Sequence, residues 1–226
     1  MELRAGIPCG KQRKYRSSLR EERAADTRAR IVRAARALFS DRGFTGTTVS
    51  GIAERAGVAA PTVYAAFGSK AAIMRALLTQ SEDDADASTW RARIDAEPDP
   101  NRKLENFAEW SRHLFSGSRD LIAAALAAAG EPAVAELHEQ GDQNRRSWLS
   151  DIVASLADIG ALRPELDQRE AIDLAWMVSG PDLYLRAAET CAWSDDAYQR
   201  WLTRHLQHQL LDAGTDKRAT TAEPPA

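Results

Sequence analysis

A chain of 226 residues, 44% hydrophobic and 28% charged, has the composition of a soluble globular protein with one full domain or two smaller ones. Its two cysteines, Cys9 and Cys191, stand far apart, which excludes a disulfide framework and fits a reducing cytoplasm. The formal net charge of −3 excludes a uniformly basic nucleic-acid coat, but the charge is unevenly spread along the chain.

Residues 1–25 are basic and polar, without an apolar run, so they read as an arm that is disordered when free rather than as a secretory signal. Within it Arg13, Lys14 and Arg16 flank Tyr15 and are candidates to reach DNA. A first helix is predicted from an Asp26 or Thr27 cap to Gly43. Its inner stripe is Ile31, Ala35, Leu38 and Phe39, with Arg30, Arg33 and Arg36 outside. Thr48 then caps a short second helix whose Val49, Ile52, Ala53 and Ala56 share one face, and Gly57 stops it. Pro61 sits in the first turn of a third helix that has Val63 and Phe67 inside and Thr62, Tyr64, Ala65 and Ala66 pointing elsewhere. Two short helices joined by a tight Gly-containing turn form a helix-turn-helix, whose second helix enters the DNA major groove.

A fourth helix is predicted from the Ser69 cap through Ile73 and Leu77 to just before Pro98, followed by the two-proline linker EPDPN. A fifth takes Leu104, Phe107, Ala108 and Leu114, and a sixth is the apolar run at 121–129, too short for a membrane and read as buried on all sides. A seventh is expected from Pro132 to Gly160 with a bend near Gly141, an eighth after Pro164 and a ninth after a Ser194 cap. Residues 214–226 read as a polar tail. No segment alternates with period two. The expected fold is all-α, about nine helices in all: a flexible arm (1–25), a three-helix DNA-binding domain (26–75), and a larger helical domain (76–213).

Charge follows the same division. Residues 1–75 hold 15 Lys+Arg against 6 Asp+Glu, a balance of +9, and residues 76–226 hold 15 against 27, a balance of −12. A basic amino-terminal third on an acidic remainder is the footprint of phosphate binding by one part of a molecule.

The run from Ile31 to Leu78, with ALF, a GF-type turn, TTV, IAERAGV, PTVY and FGSK at matching spacing, resembles the DNA-binding domain of the tetracycline-repressor (TetR) family. That resemblance implies that Thr48, Thr62, Tyr64 and Lys70 hold DNA phosphates and that Ala60 and Pro61 approach base edges. SGPDLY at 179–184, Trp193 and the closing helix resemble carboxy-terminal helices of the family more weakly. One departure matters. Ala59, Ala60, Ala65 and Ala66 put methyl groups where long polar side chains often stand, and alanine cannot make bidentate bonds to guanine or adenine. Specificity then falls to Ser50 or Pro61, to DNA shape, or to the arm.

No catalytic signature is present: no GxGxxG, Walker-type loop or GxSxG. His205 and His208 lie three apart on one helix, but neither HExxH nor Glu-x-x-His accompanies them, so no metal and no cofactor is assigned. Trp110, His113, Trp148, Trp176 and Met177 read either as core filling or as the walls of a pocket for a small, largely apolar ligand. Leu202, Leu206 and Leu210 on the last helix, with Leu174, Val178 and Leu183 before it, form a stripe expected at a homodimer seam or, alternatively, packed within one subunit.

The resemblance implies that the larger domain is a ligand-binding and dimerisation domain and that the protein is a ligand-responsive, homodimeric repressor of transcription, which binds a near-palindromic double-stranded operator and is released by a small-molecule effector; it is expected in the cytoplasm, with no membrane partner. The alternative is an all-α enzyme or carrier using the Trp-lined cavity.

Overall fold

The computed structural model describes the backbone of residues 9–212 and the side chains of residues 20–212. The side chains of Arg13, Lys14 and Arg16, and the tail 214–226, lie outside the described residues. Among the described residues the architecture is helical, apart from connecting turns and one antiparallel bridge between Leu162 and Leu211. No helix among the described residues is long and apolar enough to cross a membrane. The chain divides into two compact units between Ala76 and Leu77, a point that falls inside a single helix, α4 (Lys70–Asp84).

The amino-terminal unit contains α1 (Cys9–Arg42), α2 (Val49–Ala56) and α3 (Ala60–Phe67). The long α1 corrects two expectations. Residues 9–25 are helical, and the helix does not start at Thr27: that hydroxyl bonds back to the Arg23 carbonyl (2.8 Å), which is how threonine behaves inside a helix. The stretch from Leu19 to Arg30 is rich in Leu, Arg, Glu and Ala, all strong helix formers, and nothing in it breaks the run. Asp26 and Arg30 add an (i, i+4) pair at 4.0 Å. The inner stripe is as expected, with Ile31, Ala35, Leu38 and Phe39 all buried, and Gly43 ends the helix at φ +68°.

The carboxy-terminal unit contains α5 (Ala87–Ala96), α6 (Pro100–Gly117), α7 (Arg119–Leu126), α8 (Pro132–Asp158), α9 (Gln168–Val178), α10 (Pro181–Leu185), a π-helical turn (Arg186–Thr190) and α11 (Asp195–Leu210). The predicted fourth helix is therefore two, broken at Asp86, which adopts a left-handed conformation (φ 53°). The predicted eighth is also two, because Pro181 starts a new helix after Ser179 and Gly180. By contrast α8 runs unbroken through Gly141 and stops at Asp158, with Ile159 after it 56% exposed. Helix α7 is not buried all round: Leu121, Ile122, Ala124 and Ala125 face inward, while Ala127 and Ala129 after it are exposed.

Caps fix the element starts. Asp99 Oδ1 accepts from the amides of Asn101 (2.8 Å) and Arg102 (3.2 Å), Asp167 Oδ1 from Glu170 (2.8 Å), and Ser194 Oγ from Ala197 (3.2 Å). Lys103 is buried and caps α5 from the other end, donating to the carbonyls of Ile94 (2.8 Å) and Asp95 (3.2 Å); burial lowers its pKa against the opposing pull of Asp95 and Glu97. One core joins Ile94, Phe107, Trp148, Val153, Tyr184 and Leu202, with α11 lying along α6 and α9 along α8.

Candidate functional site

In the amino-terminal unit the helix-turn-helix is built by caps. Thr48 Oγ1 accepts from the Gly51 amide (3.0 Å) and opens α2, while Gly57 closes it at φ 65°. The amides of Gly57 and Val58 return to the carbonyls of Glu54 (3.1 Å) and Ala53 (3.0 Å), a Schellman-type ending that needs a residue at ease with positive φ. A Cβ at position 57 would also sit 3.0 Å from Arg30 Nη2. That guanidinium occupies the end of α2, donating to the carbonyls of Ala56 (2.5 Å) and Gly57 (2.9 Å). Arg28, also from α1, does the same for α3: it donates to the Ala66 carbonyl and lies 4.1 Å from the Phe67 ring centre. Positive charge at a helix carboxy terminus complements its dipole and satisfies orphan carbonyls. Arg30 was expected merely outside, and Arg28 was not singled out. Their partners are 26 and 38 residues away, so no local pattern marks them.

Helix α3 buries Val63 (2% exposed) and presents Pro61, Thr62, Tyr64 and Ala65 to solvent, with Tyr64 55% exposed and Ala60 half-buried. Thr48 and Ser50 are exposed at the start of α2. Ser69 Oγ accepts from the Ala72 amide (3.1 Å) and caps α4. Lys70 is already engaged. Its Nζ donates to the carbonyls of Phe44 (2.7 Å) and Thr47 (2.8 Å) and lies 4.1 Å from the Phe44 ring centre. Thr48, Ser50, Pro61, Thr62 and Tyr64 thus expose hydroxyl and apolar groups, while Lys70 holds the turn before α2.

In the carboxy-terminal unit the proposed ligand residues separate. Trp148 is buried (6% exposed) against Trp110 (centroids 4.4 Å apart, 76°) and Phe107 (5.5 Å). Trp176 is half-buried beneath Arg145, whose guanidinium lies 5.1 Å from its ring. His113 is exposed beside Trp90, and Met177 is 56% exposed. Trp148 is therefore interior, Trp110 and Trp176 are half-buried against the core, and His113 and Met177 lie at the surface.

The dimer stripe requires a correction. Leu202, Leu206 and Leu210 are 0%, 1% and 1% exposed in a single chain, packed in its own core, while Leu174, Val178 and Leu183 are half-buried. The outer side of α11 instead carries Ala197, Arg200, Trp201 and Arg204, which with Trp193 line a shallow groove. Tyr184 closes the SGPDLY motif, but its association with Arg119 and Asp195 does not follow from the sequence, in which the three form no local pattern. Tyr184 is fully buried, its hydroxyl donating to Asp195 Oδ1 (2.7 Å) and accepting from Arg119 Nη2 (2.6 Å), so one phenol ties the starts of α7 and α11 to α10. Burial raises its pKa, with the Arg119 bond opposing.

Residues 31–77 match the family profile described as "Bacterial regulatory proteins, tetR family". The HTH-type transcriptional regulator TtgR of Pseudomonas putida is 38% identical over 80 residues, which cover 35% of this chain and 38% of that protein. This chain thus spans well under half of that relative's length in the match. The HTH-type transcriptional regulator BetI of Paraburkholderia phymatum is 28% identical over 82% of this chain and 91% of its own. Among solved structures, the SmeT–triclosan complex superposes with a TM-score of 0.69 at 19% identity, covering 88% of this chain and 99% of that one.

Proposed function

Starting from a chain that belongs, through residues 31–77, to the TetR family of bacterial DNA-binding transcriptional regulators, we propose a cytoplasmic repressor that binds a near-palindromic operator as a homodimer and is released by a small effector. Its relatives are regulators rather than enzymes. The observation that carries the reading is α3: capped at its far end by Arg28, packed through Val63, and offering Pro61, Thr62, Tyr64 and Ala65 outward. Tyr64 and Thr62 hold phosphates, Pro61 and Ala60 lie against base edges, and Thr48 and Ser50 anchor the start of α2 to the same backbone. With so few polar groups on α3, DNA shape and the arm with Arg13, Lys14 and Arg16 supply much of the sequence preference.

Two copies pair through the outer faces of α9 and α11, where Leu174, Met177 and Val178 share one side of α9 and Trp201 stands on α11. Two recognition helices then meet half-sites one helical turn, or a multiple of it, apart. The effector enters the carboxy-terminal core near Trp110, Trp148 and Trp176. In support, SmeT, which shares this fold, is solved in complex with triclosan. The effector must prefer the arrangement that does not bind DNA, and a coupling of roughly 1–3 kcal/mol weakens operator binding about 5- to 150-fold. A gel shift with the DNA upstream of the protein's own gene tests the reading. A retarded band that survives excess random DNA supports it, and equal competition by random DNA counts against an operator.

A further inference from the structure

Helix α3 presents an apolar centre between two hydroxyl-bearing flanks. Its eight residues, APTVYAAF, include the hydroxyls of Thr62 and Tyr64 and no amide, carboxylate or basic side chain. Val63 is buried, and Phe67 lies against the Arg28 guanidinium, which also donates to the Ala66 carbonyl. These contacts fix which side of the helix faces outward, and the residues left exposed on it are Pro61, Thr62, Tyr64 and Ala65.

At about 3.6 residues per turn, Pro61 and Ala65 stand roughly 40° apart in the middle of that exposed side. Tyr64 falls roughly 60° beyond Pro61 on one flank, and Thr62 roughly 60° beyond Ala65 on the other. A helix seated in the major groove, roughly 12 Å wide, turns the middle of its outer side to the base edges and its flanks to the two phosphate backbones. The hydroxyls of Tyr64 and Thr62 then reach opposite walls of the groove, and Pro61 and Ala65 lie over the bases. Neither has a polar side-chain atom, and Pro61 has no N–H.

Base edges differ in what they lose against such a surface. Guanine, adenine and cytosine present only polar groups in the major groove, and burying these against Pro61 and Ala65 leaves them unpaired. Thymine adds a C5-methyl, whose removal from water onto an apolar surface is favourable. Pro61 and Ala65 are about 6 Å apart along the α3 axis, close to two base-pair steps of roughly 3.4 Å.

We propose that Pro61 and Ala65 are specificity-determining residues that select pyrimidine C5-methyl groups, so that each operator half-site carries thymine at one or two neighbouring positions beneath α3. A 5-methylcytosine, which carries the same methyl, is accepted there better than cytosine. This deepens the reading of the protein as an operator-binding regulator and rests on it.

The test starts from a duplex enriched out of a random double-stranded library by the full-length protein. Gel shifts then compare it with versions in which each half-site thymine in turn is replaced by uracil, which lacks only the methyl. Replacement at the positions beneath α3 should weaken binding about four-fold per methyl, the value of one buried CH₂-sized group. Replacing the same T·A pair by C·G should weaken it further, and 5-methylcytosine in place of that cytosine should recover part of the loss. Ala65→Ser, at an exposed position, should narrow the gap between thymine and uracil, and an unchanged gap would take the methyl contact away from Ala65. Tolerance of uracil at every half-site position, or equal binding of cytosine and 5-methylcytosine, would overturn the methyl reading and leave operator binding standing. Failure to enrich any sequence over the random pool would remove the regulator reading and this inference with it, so the two failures are told apart.

Discussion

The ammonium of Lys70 lies 4.1 Å from the centre of the Phe44 ring and donates to the carbonyl of the same residue at 2.7 Å. The residue proposed to hold a phosphate therefore also closes the turn between α1 and α2 before any DNA arrives. Its second bond, to Thr47, fixes the residue that precedes the α2 cap. Lys70→Ala should accordingly do two things. It should destabilise the amino-terminal domain by roughly 1–3 kcal/mol, the range for hydrogen bonds to a charged group with a cation–π contact, and it should flatten the salt dependence of DNA binding by about one unit. Thermal melting of the free protein, and affinity measured across a salt series, read the two effects separately. An unchanged melting temperature would mean that these contacts carry no weight in solution.

Tyr64 offers the cleaner probe of the surface. It is 55% exposed, so Tyr64→Phe leaves the fold untouched and removes one hydroxyl from the outward side of α3. Affinity for operator and for random DNA should fall by a similar factor, since a phosphate contact positions without specifying. A loss confined to the operator would instead make Tyr64 a base reader.

A core position on α11 and a proposed seam position on α9 predict opposite outcomes for similar substitutions. Leu206→Glu puts a carboxylate in a core position of α11 that is 1% exposed and should unfold the carboxy-terminal unit, at a cost of several kcal/mol. Met177→Glu, at a site 56% exposed on α9, should spare the fold of the single chain but yield monomers in sedimentation, with a melting temperature that no longer depends on protein concentration. Persistence of a dimer in Met177→Glu would move the seam away from this face.

Alkaline pH is a further handle on the core. Burial raises the pKa of both Tyr184 and Tyr198 above the usual phenol value of 10.0. In the unfolded chain these phenols ionise near the ordinary value, so above about pH 10 the unfolded state releases protons first and stability falls as pH rises. Spectrophotometric titration should show that two of the four tyrosines ionise only as the protein unfolds. Tyr198→Phe, which removes a hydroxyl without a partner, should shift that alkaline transition upward.

Local chemistry was legible in the chain. The caps at Thr48, Ser69 and Ser194, the stop at Gly57, the proline start of α3 and the inner stripe of α1 all depend on residues within four or five positions of one another. Backbone sterics and orphan amides impose the same demand wherever such a pattern occurs, so the all-α fold and the helix-turn-helix could be read directly. Even local signals misled where they competed. Thr27 looked like a cap, yet the helix formers on both sides carried α1 past it, and nothing before Asp86 announced that an aspartate would turn left-handed and divide a helix.

Tertiary structure decided what each surface faces. Leu202, Leu206 and Leu210 repeat every four residues, and that spacing is identical whether the stripe meets α6 of the same chain or a second copy. The choice fell to the core partners Leu104 and Phe107, about a hundred residues away, and to the bond from Gln207 to the Asn101 carbonyl (3.1 Å). Arg28, Arg30 and Lys70 belong to the same class. A cation near a helix in sequence reads as solvated charge, and becomes a helix cap or a turn clamp only when folding delivers carbonyls to it. Periodicity records which residues must leave water, whereas their burial partners depend on chain topology, which no short window of sequence contains.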